Sequence, residues 1–184
     1  MVDELIKKMT QIHKTIGKMN ETYIEIWKED MFLTWRWWLT TAILILPWIF
    51  WLIVRKKQST NRLLLSGLFV YLITSGLDSA GVAFGLWFYL YTPFPYIHSF
   101  FMPWDFGAFP VMVMLLIQYK PNISPYLKAI FFAVFSAILF EPLFEWMKLY
   151  ALLKWKHYYG VPIYFFIYII AHKVSKRQHF EPIE

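Results

Sequence analysis

Apolar side chains recur at Leu5, Met9, Ile12, Ile16, Met19, Tyr23 and Ile26, in alternating steps of four and three. That spacing keeps one stripe on one face of a helix, while charged residues fill the other faces. Residues 1–30 are therefore expected to form an amphipathic helix. Such a helix lies on a membrane surface or zips against a partner helix, and residues 5–26 could also hold a homo-oligomer together. The seam is short of four heptads, so an interfacial helix packed on its own bundle is the favoured form.

From residue 31 the alternation gives way to long apolar runs. Spans are expected at 32–54, 63–91, 99–119, 126–147 and 160–171. They are separated by "RKKQSTNR", "YTPFPYIH", "KPNISPYLK" and "KLYALLKWKHYY". About 20 apolar residues cross a hydrocarbon core of roughly 30 Å. The run 63–91 is longer than that and is expected to tilt, break or protrude. The predicted fold class is all-α: a polytopic transmembrane helix bundle of about five spans over 31–177, preceded by the amphipathic helix and followed by a polar tail, 178–184. No internal repeat or low-complexity linker interrupts it.

Composition agrees. Hydrophobic residues make up 59% of the chain, aromatic residues 22% and charged residues 16%, against about 25% charged in soluble domains. There is no cysteine, which excludes disulfides and thiolate metal sites. The net charge of +6 comes from short basic clusters between apolar runs. Clusters of that kind read as topology signals and lipid contacts, not as a nucleic-acid surface. No signal-peptide cleavage pattern follows the first apolar run.

Loop 55–62 carries four Lys or Arg, loop 120–128 carries two, and the tail carries Lys173, Lys176 and Arg177. Five spans put all three segments on one side, which is expected to be the cytoplasm. The N-terminus is then outside and the location is the plasma membrane. Three lysines in the connector 148–157 work against this rule.

The acids fall at matching depths. At about 1.5 Å per residue, Asp78 lies about 22 Å along the second span from the inner face, and Glu141 about 22 Å and Glu145 about 28 Å along the fourth. Asp105 lies about 9 Å below the outer face on the third span. Arg36 sits at the outer end of the first. All are in the outer half, where a charge facing lipid near the bilayer centre costs roughly 3 kcal/mol. The four acids are expected to share one cavity with Arg36 at its mouth. Carboxylates so placed resist joint ionisation, so one holds a proton or a cation binds. Glu141, the deeper of the "FEPLFEW" pair, is the expected functional member, with Glu145 auxiliary.

Pro142 and Pro110 cannot donate to the carbonyls of Ile138 and Phe106, which could then face a cation or a water. A purely structural role stays open as well: Asp78 and Glu141 could fix helix register, and Arg36 among Trp35, Trp37 and Trp38 could snorkel. Rings are concentrated at the same level. Trp104 and Trp146 join the candidate ligand-binding set for cation–π contact. His157, read as an interfacial residue, joins it by position.

No phosphate-cradling glycine loop, Gly-x-Ser-x-Gly or His-Glu-x-x-His pattern occurs, so no metal or cofactor is assigned. "LFEPLFEW" and "WKHYYGVPIYF" resemble a family of small, uncharacterised multi-pass membrane proteins of spore-forming Gram-positive bacteria. That resemblance implies a plasma-membrane location and supplies no activity or site residues.

Three functions remain open. One is a pocket that binds or passes a cation, a cationic solute or a proton. The second is an intramembrane enzyme acting on a lipid or isoprenoid, with Glu141, Glu145, Asp105 and Asp78 as candidate acids. The third is a non-catalytic assembly or sporulation-associated protein.

Overall fold

The structure, a computed structural model, describes residues 1–176; Arg177 and the expected tail 178–184 lie outside the described residues. The chain is all-α apart from one pair of three-residue strands. The helices are α1 (Val2–Ile26), α2 (Trp35–Val54), α3 (Thr60–Ala83), α4 (Phe109–Gln118), α5 (Pro125–Val134), α6 (Glu141–Trp146) and α7 (Gly160–Ser175). Wide π turns at Trp27–Met31, Pro103–Ala108 and Phe135–Phe140 continue α1, lead into α4 and join α5 to α6.

Three helical stretches are long and apolar enough to cross a bilayer: Trp35–Val54, Lys57–Ala83 and Pro125–Trp146. Leu46, Phe50 and Ile53 on α2, and Leu68 and Leu72 on α3, are exposed. Apolar surface of that extent on several helices is what a lipid solvent requires, and it marks the chain as a membrane protein. Pro103–Gln118 is a shorter apolar helix.

α3 packs on α4 and on α7, α5 packs on α7, and α2 packs on the Pro103–Ala108 turn. The last contact is backbone to backbone. A Cβ on Gly107 would meet the Ile43 carbonyl oxygen at 2.6 Å, so only glycine admits α2 this closely. At the opposite end the Ser66 hydroxyl donates to the Ala171 carbonyl at 2.5 Å and holds α3 to α7. Lys128, counted above as a loop charge, is buried. Its ammonium caps α4 through the carbonyls of Leu116 and Tyr119, which suits the negative end of a helix.

Two expectations are overturned. The second span does not run to Tyr91. α3 stops at Ala83, and Gly85 takes a left-handed conformation with φ +63. The Leu86 N–H returns to the Gly81 carbonyl and the Gly85 N–H to that of Val82, which is the Schellman closure of a helix. The chain then enters β1 (Trp87–Tyr89). α6 ends the same way, with Lys148 at φ +59, Leu149 bonded back to Phe144 and Lys148 to Glu145. β2 (Tyr150–Leu152) follows and pairs antiparallel with β1, Phe88 opposite Ala151. The paired strands form a short cap across the end of the bundle.

Nor does α1 pack on the bundle. It has no buried residue, and Leu5, Met9, Ile12, Ile16 and Met19 are exposed. Among the described residues the helix is held only at its base, where the Tyr23 and Thr92 hydroxyls bond, Tyr23 lies 4.7 Å from the His98 ring, and the Trp27 indole donates to the Thr92 carbonyl.

The two helix ends make opposite predictions. Gly85→Ala forces a side chain into the left-handed region and should cost about 1 kcal/mol. Lys148→Gly removes that same strain and should stabilise by up to about 1 kcal/mol. Thermal unfolding of the purified protein in detergent reads both. Equal effects of one sign would contradict the assignment of these residues.

Candidate functional site

The cap exists because of what it donates to α3. One face of Asp78, the Oδ1 oxygen, accepts the Trp87 indole N–H at 2.6 Å and the Tyr89 hydroxyl at 2.5 Å; Oδ2 accepts the Phe101 backbone N–H at 2.7 Å. Gly81 makes room for this, since a Cβ there would collide with the Trp87 ring. Asp78 is 8% exposed, and three donors at one buried carboxylate are enough to hold it there.

Asp105 is on the π turn before α4, 3% exposed and in the same cavity wall as Asp78 and Thr74. Its Oδ2 is buried without a donor. Glu141 sits directly after the Phe135–Phe140 π turn and starts α6, while the turn at Trp27–Met31 is not part of the site. Each of the two widened turns at the site precedes a proline, Pro110 or Pro142, whose missing N–H leaves a helical bond unmade. π turns of this kind re-aim side chains and recur at functional sites.

Glu141 accepts the Tyr164 hydroxyl at 2.5 Å through Oε1, and its Oε2 lies 3.1 Å from His157 Nδ1. His157 Nε2 is 2.9 Å from Glu145 Oε2, and the Tyr150 hydroxyl is 3.2 Å from Nδ1. The imidazole thus bridges the two glutamates of "FEPLFEW". Both bridges form together only when the ring donates from both nitrogens or a glutamate carries a proton. Tyr150, on the cap strand, is pushed above its ordinary phenol value by burial and so remains a neutral hydroxyl.

Asp78, Asp105 and Glu141 line one cavity of about 260 Å³, with Trp87, Tyr89, Phe101, Trp104, Phe144, Tyr150, Trp155 and Tyr164. Among the described residues the only close ion pairs are Lys8 with Glu4 and His157 with the two glutamates. None of the described Lys or Arg residues pairs with a cavity acid. Among the same residues no group of three or more His, Asp or Glu has a metal-holding arrangement.

The structure does not bring all the candidates together. Arg36 is not at a mouth of this cavity. Its Nε donates to the Met147 carbonyl at 2.8 Å, and its guanidinium lies over Trp35 and Tyr91, where it ties α2 to the end of α6. Trp146 is 76% exposed and turns away from the wall, which Trp104 joins. Glu145 is outside the wall and linked to it through His157. The Phe106 carbonyl left by Pro110 is not free, because the Trp48 indole donates to it at 2.9 Å.

Residues missed by sequence reasoning are Trp87, Tyr89, Tyr150 and Tyr164. Tyr164 falls four residues after Gly160, in a helix that begins beside the glutamates, and that spacing was a readable signal. The strand residues Trp87, Tyr89 and Tyr150 stood out only within the general excess of rings at the level of the acids, not as partners of a carboxyl.

No family model matches the chain, and comparison with curated proteins and with solved structures finds no match to either.

Removing one donor from the buried Asp78 leaves a carboxylate lone pair unsatisfied. Trp87→Phe should therefore lower stability by about 1.5–3 kcal/mol, while Tyr96→Phe, at a position 77% exposed, should change nothing measurable. Unfolding curves of the two variants in one detergent test this. Equal stability would mean that the Asp78 bonds do not hold the cap.

Proposed function

We propose that this is a multi-pass plasma-membrane protein whose outer-half pocket binds a small organic cation. The carrying observation is the charge balance: two buried carboxyl groups, Asp78 and Asp105, and the part-buried Glu141 share an aromatic cavity, with no Lys or Arg partner among the described residues. In low dielectric that set needs a proton or a cation. Asp105 Oδ2, buried without a donor, is the acceptor a ligand N–H would satisfy. The ring walls supply cation–π contact. A metal cage is less well matched, because Asp78 and Glu141 are already committed to different partners and no group of three or more His, Asp or Glu among the described residues has a metal-holding arrangement.

On this reading Asp105 is the anchoring anion and Asp78 its partner. Glu141 supports the site through Tyr164 and His157, and Glu145 is its link to water. That moves the leading role from Glu141 to Asp105. In a titration of purified protein with ammonium ions of increasing alkyl length, at least one should bind. Asp105→Asn should weaken it at least tenfold, Glu141→Gln less, and Glu145→Gln least. If no ammonium binds, or Asp105→Asn binds as well as the parent, the cation reading fails.

Five crossings fit the packing. Pro103–Gln118 and α7 have 16 residues each, or about 24 Å, and lie against the longer helices. Five crossings put α1 outside and the C-terminal end of α7 in the cytoplasm, as the basic loops require. The resemblance of "LFEPLFEW" to small membrane proteins of spore-forming bacteria fits the same location. Thr15→Cys and Lys176→Cys, introduced into this cysteine-free chain, should react with an impermeant maleimide from opposite sides. Reaction from one side would rule out an odd number of crossings.

A further inference from the structure

We propose that the pocket's ligand is a membrane-borne alkylammonium amphiphile that enters sideways from the lipid, between α3 and α7. The proposal rests on the cation reading above and narrows it to a ligand class and a route.

The two helices touch at their inner ends through Ser66 and the Ala171 carbonyl. Toward the cap both contribute to the cavity wall, α3 through Leu77, Ala80 and Phe84 and α7 through Ile163 and Ile167. Helices in contact at one end and separated by a cavity at the other form a wedge. The cap strands close its end: Leu86, Trp87 and Leu152 are wall residues too, and the Leu153 N–H bonds to the Leu86 carbonyl. The open flank is therefore lateral.

Exposure says what that flank meets. Leu77 is 49% exposed and Phe84 76%, and Ala80 between them is exposed as well. These positions, at i, i+3 and i+7, share one face of α3 and carry no polar atom beyond the backbone. A hydrated ammonium ion finds no hydrogen bond at such a mouth. An alkyl chain loses nothing there.

Size agrees with this. Enclosed ligand sites run to roughly 300–1,000 Å³, and a cavity of about 150 Å³ holds a benzene. The 260 Å³ here admits a headgroup and a few methylenes, and the rest of the chain stays in the groove between α3 and α7. The ammonium N–H groups reach Asp105 Oδ2, the acceptor with no donor. Because the chain is in lipid both before and after binding, selectivity comes from the headgroup and delivery from the chain.

The test uses the full chain in lipid nanodiscs with a dodecylammonium probe bearing a diazirine, the adducts being located by mass spectrometry. Labels should fall on the α3 and α7 residues of the wedge. Dodecylammonium should compete, while tetramethylammonium and dodecanol at equal concentration should not. Ala80→Trp plugs the mouth from an exposed position and should cut labelling at least tenfold. Leu77→Trp should do the same if Ala80→Trp unfolds. Asp105→Asn should also cut it tenfold.

Full labelling in folded plug variants, with loss in Asp105→Asn, would overturn the lateral route and leave the cation reading standing. Full labelling in Asp105→Asn would overturn both. Competition by tetramethylammonium would overturn the amphiphile class, and competition by dodecanol would overturn the requirement for charge.

Discussion

The cap end of the bundle depends on one carboxylate. Asp78 is the point where α3, strand β1 and the loop before Pro103 meet, because it accepts one hydrogen bond from each of Trp87, Tyr89 and Phe101. A carboxylate buried in an apolar bundle is costly unless several donors face it. Here the donors come from segments that would otherwise continue outward. The cap folds inward to meet the charge, and the inward fold creates the cavity roof.

The other acids follow from that anchor. Asp105 shares the cavity wall with the saturated Asp78, and its Oδ2 is buried without a donor. Glu141 is stabilised separately, by Tyr164 and by the imidazole of His157. The site therefore has a structural acid, a free acid and a supported acid. Glu145 completes a hydrogen-bonded path from Glu141 to solvent, its side chain 41% exposed against 12% for Glu141. Asp78 carries the structural role, and the binding role proposed above falls to a different carboxyl, Asp105.

Much of this was legible in the sequence, for simple reasons. Hydropathy located α2 to within three residues at its start, because most of its surface is apolar whether it faces lipid or the bundle. Depth along a helix depends only on rise per residue, so Asp78, Asp105 and Glu141 could be placed at one level without knowing the fold. The end of α3 was not legible. "LWFYLY" is as apolar as the span before it, and only the left-handed Gly85 and the pairing with Tyr150–Leu152 turn it into a strand. Arg36 was misplaced because depth says nothing about direction around a helix; it faces the carbonyl end of α6 and two rings. The role of His157 was hidden for a similar reason. It sits far from Glu141 along the chain and reaches it only through the return of the chain over the cap. The seam of α1 was read correctly as periodic, but period alone does not name what covers it, and the bundle does not.

The central claim of the proposed function is that a cation bound at Asp105 takes the place of a proton held by the cavity acids. Infrared difference spectroscopy of the protein in nanodiscs, with and without an alkylammonium ligand, follows that exchange directly. A carboxylic-acid carbonyl band should disappear on binding and a carboxylate band should grow, and Asp105→Asn should abolish the pair of changes. Binding that leaves the carboxylic-acid region unchanged in the parent protein would contradict the claim.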